Sequence, residues 1–129
     1  MKTTPQHWWD YAIDDLAMAG IAMQAGKPRH VAFHCQQAIE KGLKAIILGR
    51  SGATPPKIHR LIQLAELAGL RGDLGDKARG NLEELQSYYT EVRYPGFDPD
   101  FATHVTADVA RRLLAETERT FAWLRSRNT

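Results

Sequence analysis

His30 and His34 stand four residues apart, the spacing at which one helix presents two ligands to a zinc ion. The glutamate that follows the first histidine in a metalloprotease helix is absent, because Val31 occupies that place, and no third ligand is indicated. The expectation is therefore no metal and no other cofactor, with both histidines on a surface near a helix start. Cys35 is the only cysteine, which excludes an internal disulfide and a Cys-rich zinc site. It falls on an apolar stripe and reads as a buried, inert thiol. Asp14/Asp15 and Glu83/Glu84 are sequence neighbours, which a helix splays apart by about 100°. They read as solvated carboxylates rather than acid/base pairs. The more productive pattern is cationic. Lys41 and Lys44 share one helical sector, Lys57 and His59 follow in a loop and helix start, and Arg93 stands in a proline-bearing bend. Several cationic donors converging beside helix N-termini suit an anion. Tyr88, Tyr89 and Tyr94 add rings on which a base can stack.

The charge is unevenly placed. Residues 27–60 carry seven Lys/Arg against Glu40 alone, a net +6, whereas residues 61–110 carry four Lys/Arg against nine Asp/Glu, a net −5. Such a chain can hold an anionic ligand on one side, or pair its two halves within or between subunits.

The elements that must position these residues are helices. Pro5 opens a candidate over 6–25 whose inner face reads as Trp9, Ile13, Leu16, Gly20 and Met23, with Asp14 and Asp15 off it. Gly26-Lys27-Pro28 is a stop and restart. The second candidate, 29–49, places Ala32, Cys35, Gln36, Ile39, Leu43, Ile46 and Ile47 within an arc of about 120°. Beside that stripe lies a polar sector of Gln37, Glu40, Lys41 and Lys44, and Glu40 precedes Lys44 by four, the better order for a helical ion pair. Gly49 is expected to end the helix. A short helix at 58–69 turns Leu61, Leu64, Leu67 and Ala68 inward. A fourth, 76–92, uses Ala78, Leu82, Leu85, Tyr89 and Val92. A last helix over 100–126 uses Val105, Val109, Leu113, Phe121 and Leu124, with Asp98 or Asp100 as its cap. No stretch alternates with period two for long enough to make a strand. The reading is all-α: one domain over 1–129, an up-and-down antiparallel bundle of about five helices. Trp8 and Trp9 cannot both face one core, so one belongs at a surface or an interface.

With 129 residues the chain has room for one core. A 43% hydrophobic and 25% charged composition is that of an ordinary globular domain. No unbroken apolar run is longer than Ala45–Leu48, which is far short of the ~20 residues that cross a bilayer. Met1–Asp10 lacks the apolar stretch of a secretory signal, and the expected location is the cytoplasm.

The run His34-Cys35-Gln36-Gln37-Ala38-Ile39-Glu40-Lys41-Gly42-Leu43-Lys44-Ala45 closely resembles the central helix of the HEPN domain (higher eukaryotes and prokaryotes nucleotide-binding). Two further pieces follow in the family's order. Lys57-Ile58-His59-Arg60-Leu61 looks like its third-helix start, and Arg93-Tyr94-Pro95 like the turn before its last helix. The resemblance implies a homodimeric helical bundle, often encoded beside a minimal nucleotidyltransferase in a toxin–antitoxin-like pair. Many relatives are metal-independent ribonucleases that use an arginine and a histidine separated by four to six residues. Arg93 is in place here, but positions 98, 99 and 100 hold Asp98, Pro99 and Asp100. The next histidine, His104, is eleven positions on. Cleavage needs a proton acceptor for the 2′-hydroxyl or a donor for the leaving oxygen, and an arginine stays protonated. The expectation is thus a non-catalytic module that binds nucleotide or RNA phosphate, or a partner nucleotidyltransferase, through Lys41, Lys44, Lys57, His59, Arg93 and Tyr94. Gln37 and Glu40 are read as structural polar groups that lock the second helix to the Arg93 bend. Two alternatives stand beside it: an endoribonuclease using Arg93 with His104 or Tyr94, and an interaction scaffold.

Overall fold

The computed structural model describes residues 3–93 and 105–128, with the side chains of 90–93 outside that description. Tyr94, Asp98, Asp100 and His104 therefore lie outside the described residues. Among the described residues five α-helices follow one another: α1 (Pro5–Gln24), α2 (Pro28–Ser51), α3 (Leu61–Leu67), α4 (Asp76–Arg93) and α5 (Ala107–Ser126), with a 3-10 turn at Arg71–Asp73. No strand occurs among them.

The helix starts are written in local chemistry. Thr4 caps α1: its hydroxyl accepts from the His7 amide at 3.2 Å, and His7 Nδ1 accepts from the Thr4 amide at 3.1 Å. This is a reciprocal capping box with a histidine in the usual Glu/Gln place. Pro5 and Pro28 occupy first-turn positions where a missing N–H costs nothing. Gly52 closes α2 at φ +71°, a left-handed conformation that glycine adopts without penalty.

α2 is the spine and touches all four other helices. The α1–α2 hairpin is antiparallel: Pro5 lies near Gly49, Trp9 against Gly42 and Asp15 against His34. The close approach at Gly42 needs a glycine, since a Cβ there would sit 3.1 Å from the Trp9 ring. α4 and α5 also run antiparallel, with Glu84 opposite Arg112 and Asn81 opposite Thr117. The core gathers Trp9, Ile39, Leu43, Ile46, Leu61, Leu64, Leu82, Leu85, Leu113 and Leu124, all essentially inaccessible. Trp9 meets Phe121 edge-to-face at 5.7 Å.

Several sequence expectations are corrected. α1 is rotated relative to the expected face: it buries Trp9, Ala12, Asp15, Ala19 and Ala22, while Ile13 is 43% exposed. Three alanines let α1 lie close on α2, and the ion pairs of Asp15 favour that rotation. α2 runs through Gly49 to Ser51. α3 starts at Leu61, not 58, because Arg60 is extended and His59 is tied to α2. Its inner face is Leu61, Leu64, Ala65 and Ala68, and Leu67 points outward. α5 starts at Ala107, where the Thr106 hydroxyl accepts from the Val109 amide at 3.2 Å; Val105 enters the core just before it. Trp9 is fully buried and Trp8 partly so.

Candidate functional site

Glu40 is the centre of the polar chemistry. It projects from the middle of α2 with only 5% of its side chain exposed, and the polar sector of α2 is buried at Glu40 and Lys44. A buried carboxylate must be paired and hydrogen-bonded, and this one accepts three donors. Gln36 Nε2 donates to Oε1 at 2.9 Å. Lys44 Nζ donates to Oε2 at 3.0 Å, and His59 Nδ1 reaches the same oxygen at 3.0 Å. The Lys44 ammonium also lies 5.6 Å from the centre of the Trp8 ring, a cation–π distance. Gln37 Nε2 donates to Gln36 Oε1 at 2.6 Å and extends the chain of polar contacts along α2.

His59 carries this buried network to the surface. Its side chain is 45% exposed and stacks on Tyr89 of α4, with centroids 4.7 Å apart and planes 17° off parallel. The three residues before α3 are thus held to α2 by a hydrogen bond and to α4 by a ring stack. A groove of about 660 Å³ opens there, lined by His59, Arg60, Gln63, Gln86, Ser87 and Tyr89, with Glu83 on its acidic side. Arg93 ends α4 one helical turn beyond Tyr89.

The second carboxylate cluster lies across α2. Asp15 of α1 bonds His34 Nδ1 at 3.0 Å and takes the Lys41 ammonium. Lys41 also sits 5.9 Å from the Tyr11 ring centre. His34, expected as a free surface histidine, is committed to Asp15.

A third cluster joins α4 to α5. The Arg112 guanidinium forks onto both oxygens of Glu84, at 3.0 and 2.8 Å, and onto Glu116 at 2.9 Å. The Tyr88 hydroxyl donates to Glu84 at 3.0 Å. Hydrogen bonding from Arg112 holds the Glu84 carboxyl below its ordinary 4.5. Burial, and then the Glu84 carboxylate, push the Tyr88 phenol up to about 12. Cys35 lies in the core, where burial pushes its thiol up to about 12, far from a nucleophile's range.

The sequence-predicted cations do not all meet. Lys44 and His59 share Glu40, whereas Lys41 serves Asp15 on the other side. Lys57, two residues before His59, is exposed. Tyr94 and His104 are outside the described residues, as is the Arg93 side chain. Sequence reasoning missed Arg60, Gln86 and Ser87 as groove residues. The available signal was Arg60 beside His59; on α4 the sequence offered Tyr89, which does line the groove, but not Gln86 or Ser87. It also missed Asp15, which the α1 periodicity placed off the buried face.

The HEPN domain model matches residues 5–127 of the chain. Among solved structures, the fold is similar to that of TT1696 from Thermus thermophilus, with a TM-score of 0.80 and 26% sequence identity. The similarity covers 95% of this chain and 96% of that one. No curated protein sequence matches.

Proposed function

The chain belongs to the HEPN domain family, and from that premise we propose that it is a non-catalytic module that binds a nucleotide or an RNA segment through its phosphates. The observation that carries the reading is the groove in which His59, backed by buried Glu40, stands beside Arg60. Arg60 and Lys57 make no ion pair among the described residues, so their charge is available to an anion. The family resemblance adds Arg93, whose backbone ends α4 one turn from Tyr89, as a further phosphate contact. Lys41 and Lys44 contribute indirectly, by neutralising Asp15 and Glu40. Positions 98–100 hold Asp98, Pro99 and Asp100 where the family's nucleases carry a histidine, which favours binding without cleavage. The module works as a cytoplasmic homodimer beside a minimal nucleotidyltransferase, in a toxin–antitoxin-like pair.

Binding of 5′-AMP and of a uridylate pentamer, followed by calorimetry at low salt, tests the reading. Affinity for the pentamer should fall as salt rises, and replacing Lys57 and Arg60 together by alanine should reduce the log–log slope by about 1 to 1.5. Absence of binding to either ligand would refute the nucleotide reading. Cleavage of RNA by the pure protein in EDTA would refute its non-catalytic part. Co-purification with a neighbouring nucleotidyltransferase tests the partner.

A further inference from the structure

A phosphate has oxygens that accept hydrogen bonds and, at neutral pH, almost no proton to donate. The geometry of His59 is a poor match for such a group. Its Nδ1 faces Glu40, which is a carboxylate already balanced by Lys44 at 3.0 Å and further bonded by Gln36. Glu40 can only accept, so the His59 proton sits on Nδ1. The ring needs no second proton to hold this contact. Nε2 is on the far side of the ring from Nδ1, and no group among the described residues bonds it. The 45% exposure of the side chain and its place in the groove wall make Nε2 an accessible lone pair. The stack on Tyr89 fixes the plane in which that lone pair points.

A lone pair held in one direction selects a donor. Arg60 lines the same groove as His59, so a phosphate held by its guanidinium leaves the donor that meets Nε2 close to that phosphate. In an RNA strand the 3′ and 5′ oxygens are esterified, and the sugar donor that remains beside each phosphate is the 2′-hydroxyl. We propose that His59, fixed in one tautomer by Glu40, accepts a hydrogen bond from a ribose 2′-hydroxyl and makes the groove prefer ribose to deoxyribose. This inference rests on the nucleotide-binding reading and adds to it a specificity-determining residue. On the same walls the Ser87 hydroxyl already donates to the Glu84 carbonyl at 2.6 Å and Gln86 Oε1 already accepts from the Ile62 amide at 3.3 Å, while Gln63 can accept or donate.

The test compares three uridylate pentamers that differ only at the sugar: ribo, 2′-deoxy and 2′-O-methyl. The deoxy strand lacks the hydroxyl, and the methylated one keeps its oxygen but loses the donor. Wild-type protein should bind the ribo pentamer about five- to tenfold more tightly than either, the worth of one hydrogen bond to a fixed partner. His59→Phe keeps a ring on Tyr89 without an acceptor, and His59→Asn keeps a donor for Glu40 without Nε2. Both should bind all three strands about equally, near the wild-type affinity for the deoxy strand. Circular dichroism establishes that each variant is folded, and the asparagine variant serves where the phenylalanine one is not. Equal binding of the three strands by wild type overturns the inference and leaves the binding reading intact. A ribo preference that survives in the folded variants overturns the assignment to His59. Failure of every strand to bind sinks both readings together.

Discussion

Two carboxylates in this protein are held by the same kind of partners and differ in what surrounds them. Glu40 is buried and answers three donors, so its loss leaves an unpaired ammonium in the core. Glu40→Ala should cost about 3–5 kcal/mol of stability, the range for breaking one side of a buried pair, read as a lowered urea midpoint. Glu84 is partly solvated and is paired with Arg112 from another helix. Arg112 keeps the Glu84 carboxyl below 4.5 in the folded chain, so just beneath that value the unfolded chain binds more protons than the folded one. Stability from the pair is therefore fully present above the ordinary carboxyl value and is lost as pH falls through the lowered one. Arg112→Gln should lower the urea midpoint at neutral pH by the equivalent of ~1 kcal/mol or less, since solvent screens the contact. The gap between the variant and wild type should close as the solution is made acid. A gap that stays constant with pH would show that Arg112 acts through packing alone. The Glu40–Lys44 pair was legible from its i, i+4 order, but its burial was not. Burial depends on α1 and on the 58–60 segment covering that face of α2, and no local pattern reports such long-range cover.

At the level of the helix, the hydrophobic periodicity identified every element and placed the face of α2 correctly, because α2 is enclosed on most sides and its stripe is broad. On α1 it placed Trp9 correctly but turned Ile13 inward and overlooked Ala12, Asp15, Ala19 and Ala22. Small side chains set that contact, and alanine carries little periodic signal. The ends of helices were less legible where a long-range tie decides them, as His59 does for the start of α3. Two glycines make the packing argument testable. At Gly20, within α1, an added Cβ meets nothing within 4 Å. Gly20→Ala should stabilise by about 0.5–1 kcal/mol, the ordinary gain from removing a helix-interior glycine. At Gly42, in α2, the same methyl would stand 3.1 Å from Trp9 and 3.5 Å from Leu124. Trp9 is locked in the core against Phe121, with the Arg125 guanidinium 4.7 Å from its ring centre. Gly42→Ala should therefore destabilise by about 1–3 kcal/mol despite its better helix propensity. Thermal melts of the two variants should move in opposite directions. A rise in both would mean that the α1–α2 contact has slack that the geometry denies.

At the scale of the whole molecule, no ion pair among the described residues joins a cation of the +6 stretch, 27–60, to an acid of the −5 stretch, 61–110. The partners of Lys41, Lys44 and Arg112 lie on α1, α2 and α4, and Arg50 spends its charge on the carbonyls of Ala68 and Arg127 at two helix ends. The cationic side thus keeps a field that can attract an anionic ligand. A second whole-molecule feature is the outer side of α1, where Tyr11, Met18 and Ile21 are exposed at positions that fall along one side of the helix. A row of large apolar side chains on a small domain is what an isologous contact buries, and it is the surface on which the proposed homodimer depends. Sedimentation equilibrium should give wild type twice the chain mass of 14.5 kDa. Met18→Lys combined with Ile21→Lys should give the single-chain mass with unchanged helix content, because both side chains are outside the core. A wild-type protein that sediments as one chain at tens of micromolar would remove the homodimer. A double variant that remains dimeric would move the contact to another face and leave the apolar edge of α1 without that role.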